Sequence, residues 1–135
     1  MWGWSFGGYE TAYALTHAPH LFHAGIAVAP VTDWRFYDTI YTERYMGRPQ
    51  SNPAAYRASS VLPAVPRLRV PLLVSHGTSD DNVHVANTLA LAESAIDSGR
   101  QIDLMLYPRK THSIAGIAQR RHLFTHMIDF WAAHL

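Results

Sequence analysis

Apolar and polar positions along this chain follow two rhythms: short continuous apolar runs, and longer stretches with helical spacing between them. Gly25-Ile26-Ala27-Val28-Ala29, ended by Pro30, reads as a buried strand. Val70-Pro71-Leu72-Leu73-Val74-Ser75 reads as a second, its Pro71 tolerated near the strand start. Ile102-Asp103-Leu104-Met105-Leu106-Tyr107, closed by Pro108, reads as a third. A helix is predicted from Gly7 to about Thr16, stopped before Pro19. Asn52 before Pro53 resembles an N-cap with proline at the first helical position, opening a short helix through about Ala58. Val85, Leu89, Ala92 and Ile96 share one face of a helix that ends at Gly99. Leu123, Met127, Phe130 and Trp131 form the apolar stripe of a last helix, while Val61 to Val70, with Pro63 and Pro66, reads as loop. Strands alternating with helices predict an α/β architecture with a mainly parallel sheet.

Composition narrows the function classes. At 135 residues the chain is one domain at most, and 48% hydrophobic residues is ordinary for a globular protein. Eleven basic residues are scattered among ten acidic ones, for a formal net charge of +1. No basic run suggests a nucleic-acid track or an anionic membrane surface. The absence of cysteine excludes disulfides, thiol catalysis and cysteine metal sites. No apolar stretch approaches the roughly 20 residues that span a bilayer. Met1-Trp2-Gly3-Trp4 lacks the basic start and apolar run of a signal peptide. It begins instead within what reads as an active-site turn, so the chain is expected to be a fragment.

That turn is Gly3-Trp4-Ser5-Phe6-Gly7, which fits the G-x-S-x-G nucleophile elbow. The glycines permit a turn so tight that the Ser5 hydroxyl stands clear of the sheet, with a helix N-terminus behind it. The backbone N–H of Phe6 then becomes a donor for the oxyanion that forms during acyl transfer. By composition alone the pattern arises in roughly one chain of this length in twenty-five, so its weight comes from its context. Here the glycines lead into a helix and then a strand, as an elbow requires.

A hydrolase of this architecture carries its residues in the order Ser, Asp, His, the last two after successive late strands. The second predicted strand runs into Ser75-His76-Gly77-Thr78-Ser79-Asp80-Asp81-Asn82, and the third into Arg109-Lys110-Thr111-His112-Ser113. Both candidates therefore sit at carboxyl ends of strands, where parallel sheets place their sites. His112 could take the Ser5 proton while a carboxylate fixes its tautomer. Residue physics does not separate Asp80 from Asp81, since either could simply cap the following helix. His122 and His126 have the spacing of a zinc pair, but Leu123 stands where the hydrolytic zinc motif has glutamate. No metal and no cofactor is expected.

Beyond the elbow, Ala29-Pro30-Val31-Thr32-Asp33-Trp34, Tyr41-Thr42-Glu43-Arg44-Tyr45-Met46-Gly47 and His76-Gly77-Thr78-Ser79-Asp80-Asp81-Asn82-Val83-His84 are far more discriminating. Through these the chain resembles the C-terminal part of the catalytic domain in the prolyl oligopeptidase family, and in particular its dipeptidyl peptidases. The likeness runs over nearly all 135 residues. It implies an α/β-hydrolase fold with Ser5 as nucleophile, Asp80 as acid and His112 as base. It implies a proline-holding pocket of Phe6, Val31, Trp34, Tyr37, Tyr41 and Val83, and an Asn82 that contacts the substrate backbone. Phe6 departs from the tyrosine usual after the serine, so any hydrogen bond from that hydroxyl is lost. The pocket is chemically sensible without the likeness, because flat aromatic walls bury a compact pyrrolidine ring at little entropic cost.

The implied activity is release of Xaa-Pro from peptide N-termini through an acyl-enzyme. The partner is then a peptide with proline at its penultimate position. A tripeptidyl or acylaminoacyl peptidase, a carboxylesterase and a non-catalytic homologue are the alternatives. The strand feeding the elbow is expected to be missing, with only Met1 and Trp2 before Gly3. A second oxyanion donor (a tyrosine hydroxyl) and a propeller domain with paired glutamates would lie upstream, so the isolated 135-residue chain is expected to be inactive. The family further implies a periplasmic, secreted or membrane-tethered location, and a homodimer through the Val85–Ser98 and Gln119–His134 regions.

Overall fold

A computed structural model describes all 135 residues. Four parallel strands lie in the order β1 (Trp2–Trp4), β2 (Gly25–Val28), β3 (Leu72–Gly77), β4 (Asp103–Tyr107). Every crossover carries a helix: α1 (Phe6–His17) between β1 and β2, then α2 (Thr39–Met46) and α3 (Pro53–Ser59) before β3, and α4 (Ala86–Asp97) before β4. The chain closes with α5 (Ile117–His134). No helix is long and apolar enough to cross a membrane.

The two-residue period of the strands sorts the core into two layers. Ala27, Leu72 and Val74 face one way and pack with Ala12 and Leu15 of α1, Leu91 and Ala95 of α4, and Val61, Val65 and Leu68. Ile26, Val28 and Leu73 face the other way and meet Leu123, Met127 and Phe130 of α5, together with Tyr107 and Ile114. A parallel sheet covered on both faces explains why β2 and β3 are buried along their whole length. Of the stripe expected for the last helix, Leu123, Met127 and Phe130 are buried and Trp131 packs partly buried against them.

Several expectations need correction. β1 exists, because Trp2, Gly3 and Trp4 pair in register with Ile26, Ala27 and Val28. The elbow is therefore fed by a short strand rather than by an unstructured end. Val61–Val70 is not plain loop, since Leu62–Arg67 winds into a 3₁₀ helix and presses Val65 into the core. Asn52 does not cap α3 through its side chain, and its Nδ2 donates instead to the Met46 carbonyl at 2.8 Å. The buried face of α4 is Asn87, Thr88, Leu91 and Ala95, whereas Leu89 and Ile96 point outward at 51% and 77% exposure. α2 has no counterpart in the predicted elements.

Candidate active site

The carboxyl ends of all four strands open on one edge of the sheet, and the candidate residues gather there. Ser5 follows β1 directly and precedes α1, with its backbone at φ 60° and ψ −118°. A non-glycine residue in that region is strained, by about 1–3 kcal/mol. The bend is held because the Ser5 N–H donates to the Val28 carbonyl at 2.8 Å, while α1 begins at once and its Tyr9 N–H donates back to the Ser5 carbonyl. A β-carbon at Gly3 would run into the Gly7 carbonyl, so the turn cannot form with a larger residue there. Phe6 is the first residue of α1, and its N–H is one of those that an α-helix leaves without an internal acceptor.

Asp80 follows β3 and His112 follows β4. A β-carbon at Gly77 would strike the Lys110 carbonyl, and the Ser79 N–H donates to that same carbonyl at 3.0 Å. The two loops are thereby clamped together, and His112 Nδ1 lies 2.8 Å from Asp80 Oδ2. The Asp80 side chain is fully buried and that of His112 is 23% exposed, so the pair sits at the lip of the site. Asp80 Oδ1 accepts the backbone N–H groups of Asn82 and Val83, both at 3.0 Å. Asp81 is exposed. The geometry thus separates the two aspartates, which residue physics left equivalent.

Ser5 joins this pair less directly. Its hydroxyl makes no hydrogen bond, but the neighbouring Trp4 Nε1 donates to the His112 carbonyl at 2.9 Å, tying the elbow to the histidine loop. Long or unmade contacts between nucleophile and base are common before substrate binds.

Four of the six predicted pocket residues share one cluster: Val31 and Val83 are buried with Trp34, and Tyr37 lies against them. Ring centroids separate Trp34 from Phe6 by 5.7 Å, from Tyr37 by 5.8 Å and from Tyr41 by 6.1 Å. Phe6, Tyr9, Trp34, Tyr41, Tyr45 and Met46 line a cleft of about 230 Å³ beside these rings. Asn82 is exposed, and its Oδ1 accepts from the Tyr37 hydroxyl at 2.7 Å. Trp34 is set by the buried Asp33, which accepts from the Arg35 backbone N–H at 2.9 Å and pairs with its guanidinium at 2.8 and 2.6 Å. Burial raises the Asp33 carboxyl, but the Arg35 and Ser60 hydrogen bonds and the Arg35 charge outweigh it and hold the group below its ordinary value. A hollow of about 430 Å³ at the opposite end of the sheet holds none of the candidates.

Three features escaped the sequence. Tyr9 and Met46 complete the aromatic wall, and the α-helical spacing of Phe6 and Tyr9 was the signal for the first. His76, in β3, is fully buried against Asp80, with only its position before Gly77 as a hint. His122, considered as a metal ligand, has its Nδ1 3.0 Å from the Tyr107 hydroxyl.

The profile of the prolyl oligopeptidase family matches residues 1–135. A dipeptidyl peptidase 4 of Bos taurus is 41% identical over 133 residues, covering 96% of this chain and 17% of the relative. A probable dipeptidyl-aminopeptidase B of Neosartorya fischeri is 51% identical over 117 residues, covering 84% of this chain and 13% of its own length. Among solved structures, the crystal structure of Porphyromonas gingivalis dipeptidyl peptidase 4 superposes with a TM-score of 0.97 at 45% identity. That superposition covers 99% of this chain and 19% of the solved one. The chain therefore spans less than a fifth of the length of each of these proteins.

Proposed function

The chain belongs to the prolyl oligopeptidase family, and on that premise we propose that it supplies the nucleophile, base and acid of a serine dipeptidyl aminopeptidase. Its fold is the late part of an α/β-hydrolase catalytic domain. In this reading the remaining strands, a second oxyanion donor and the propeller belong to the rest of the protein.

Ser5 Oγ attacks the carbonyl of a penultimate proline while His112 Nε2 takes its proton. Asp80, on the Nδ1 side, keeps that tautomer and stabilises the imidazolium. The Phe6 N–H, at the positive end of α1, donates to the oxyanion. Collapse expels the amine, to which His112 returns the proton, and water then releases the dipeptide from Ser5. The proline ring sits among Phe6, Val31, Trp34, Tyr37, Tyr41 and Val83, while Asn82, held by Tyr37, faces the substrate backbone. The observation that carries the reading is the 2.8 Å His112–Asp80 contact, clamped at adjacent strand ends beside a strained serine.

The test uses the intact protein. A fluorophosphonate should label Ser5, and glycyl-prolyl p-nitroanilide should be hydrolysed in preference to N-blocked peptides and simple esters. Ser5→Ala or His112→Ala should cost at least about 10⁴-fold in kcat. An unlabelled Ser5 would instead favour a non-catalytic homologue. Association of two copies through α4 and α5 is compatible with the exposed Leu89, Ile96, Phe124 and Ile128, and sedimentation of the intact protein would test it.

A further inference from the structure

We propose that His76 is a second histidine acting on the acid of this site, a positioning residue that shares Asp80 Oδ2 with His112 and limits how strongly that oxygen holds the base. The inference rests on the assignment of Ser5, His112 and Asp80 just given and adds a residue to it.

His76 lies on the face of β3 that carries Leu72 and Val74, so its ring enters the α4 layer and not solvent. Both ring nitrogens are engaged there. Nδ1 is 2.7 Å from Thr88 Oγ1, while Nε2 is 2.8 Å from the Val83 carbonyl and 3.2 Å from Asp80 Oδ2. Two acceptors face Nε2, so the hydrogen-bond network assigns the proton to that nitrogen. In the neutral ring Nδ1 then accepts from the Thr88 hydroxyl. Burial keeps the ring below its ordinary value, although the Val83 carbonyl and Asp80 both favour its charged form.

The consequence falls on Asp80. An ionised carboxylate offers about four acceptor sites. Here Oδ1 takes the N–H groups of Asn82 and Val83, and Oδ2 takes His112 Nδ1–H and lies 3.2 Å from His76 Nε2, whose hydrogen points mainly at the Val83 carbonyl and is shared with this oxygen. Three hydrogen bonds hold the carboxylate in place, and the oxygen that His112 receives also feels the His76 Nε2–H at its side. The ionisable neighbours act from each side. Asp80 and His112 bear on His76 itself, Tyr37 feels Asp80 from the pocket side, and His84 turns its Nδ1 toward the Ala86 N–H at the exposed start of α4. Removing the His76 donor frees Oδ2 for His112 alone, and the imidazolium gains.

Four substitutions in the intact protein separate this role from that of a buried brace. His76→Asn keeps an amide near Thr88 but is too short to reach Asp80, and His76→Leu removes the donor altogether. His76→Gln places an amide N–H near the position of Nε2. Thr88→Val disturbs the same cluster but leaves the Nε2–H on Asp80. The readout is the pH dependence of the second-order rate of Ser5 labelling by a fluorophosphonate, with thermal denaturation alongside. His76→Asn and His76→Leu should move the acidic limb upward by about 0.5–1 pH unit, while His76→Gln should return it to the wild-type position. Thr88→Val should lower the melting temperature and leave the limb in place. An unmoved limb in the Asn and Leu variants, or an equal movement in Thr88→Val, would overturn the proposal. Failure of the wild-type protein to label would overturn the Ser5 assignment beneath it, so the two failures look different.

Discussion

Ser5 is a residue on which the fold spends stability. With φ at 60° and ψ at −118°, its backbone lies where only glycine is comfortable. Strain at the proposed nucleophile is the pattern of a site over-determined by its surroundings, here the Val28 carbonyl and the start of α1. Two variants that both lack the hydroxyl expose the cost. Ser5→Gly is expected to be more stable than Ser5→Ala by about 1 kcal/mol, the strain relieved minus the extra chain entropy of glycine. Urea denaturation of the two inactive variants checks this, and equal midpoints would mean that the turn is not strained. At this scale much of the candidate site was legible: the elbow motif singled out Ser5, and chain order singled out His112. Asp80 needed either family likeness or coordinates, because Asp81 is chemically identical and only burial and the contact with His112 distinguish them. His76 could not be read as functional, since a histidine between Ser75 and Gly77 at the end of a strand signifies nothing until Thr88 and Asp80 are known to surround it.

The elements show why some of the fold was readable and some was not. β2 and β3 announce themselves because both faces are covered, which writes the short apolar runs Ile26–Val28 and Leu72–Val74 into the sequence. β1 is three residues long and owes its existence to pairing with β2, a contact that no local pattern records. α4 misled the apolar-face rule for a physical reason. Two of its inward residues are polar and are buried because they are bonded: Asn87 Oδ1 accepts the Thr32 N–H at 2.9 Å, and Thr88 meets His76. α2 fails the rule in the opposite sense, with Ile40 at 85% and Tyr45 at 71% exposure. Its ends were nevertheless marked, by Asp38, whose Oδ1 accepts the Tyr41 N–H at 2.9 Å, and by Gly47 at φ 70°. The cap bears on the proposed proline pocket because it fixes the turn that carries Tyr41 beside Trp34. Asp38→Ala should cost about 1 kcal/mol of stability. It should also raise KM for a glycyl-prolyl substrate more than it lowers kcat. A stability loss with KM unchanged would remove α2 from the proline pocket.

Across the whole molecule, three of the four non-glycine residues with positive φ lie at the site edge of the sheet: Ser5 after β1, Ala29 after β2 and Arg109 after β4. The fourth, Ile114, follows His112 by two residues and anchors that loop in the α5 layer. Buried ionisable groups cluster at the same edge, and they give the domain an acid-side weakness whose sign follows from linkage. His76 is held below its ordinary value of about 6.5, so on acidification the unfolded chain takes up a proton that the native ring refuses. Stability therefore falls as pH drops below about 6.5 and continues to fall until the native ring itself protonates. Asp33 is also held below its ordinary value of about 3.9, so its contribution is complete above that pH and is lost as pH falls through the lower native value. Two successive stages of acid destabilisation result, one from a neutral histidine that resists charging and one from an ion pair that is discharged. Denaturant melts of the intact protein between pH 8 and pH 3 should follow the loss of this domain. His76→Gln should flatten the decline between about pH 6.5 and pH 5, and Asp33→Asn should flatten only the part below about pH 4. If His76→Gln falls as steeply as the wild type over the upper range, the buried ring is not what makes the site edge acid-sensitive.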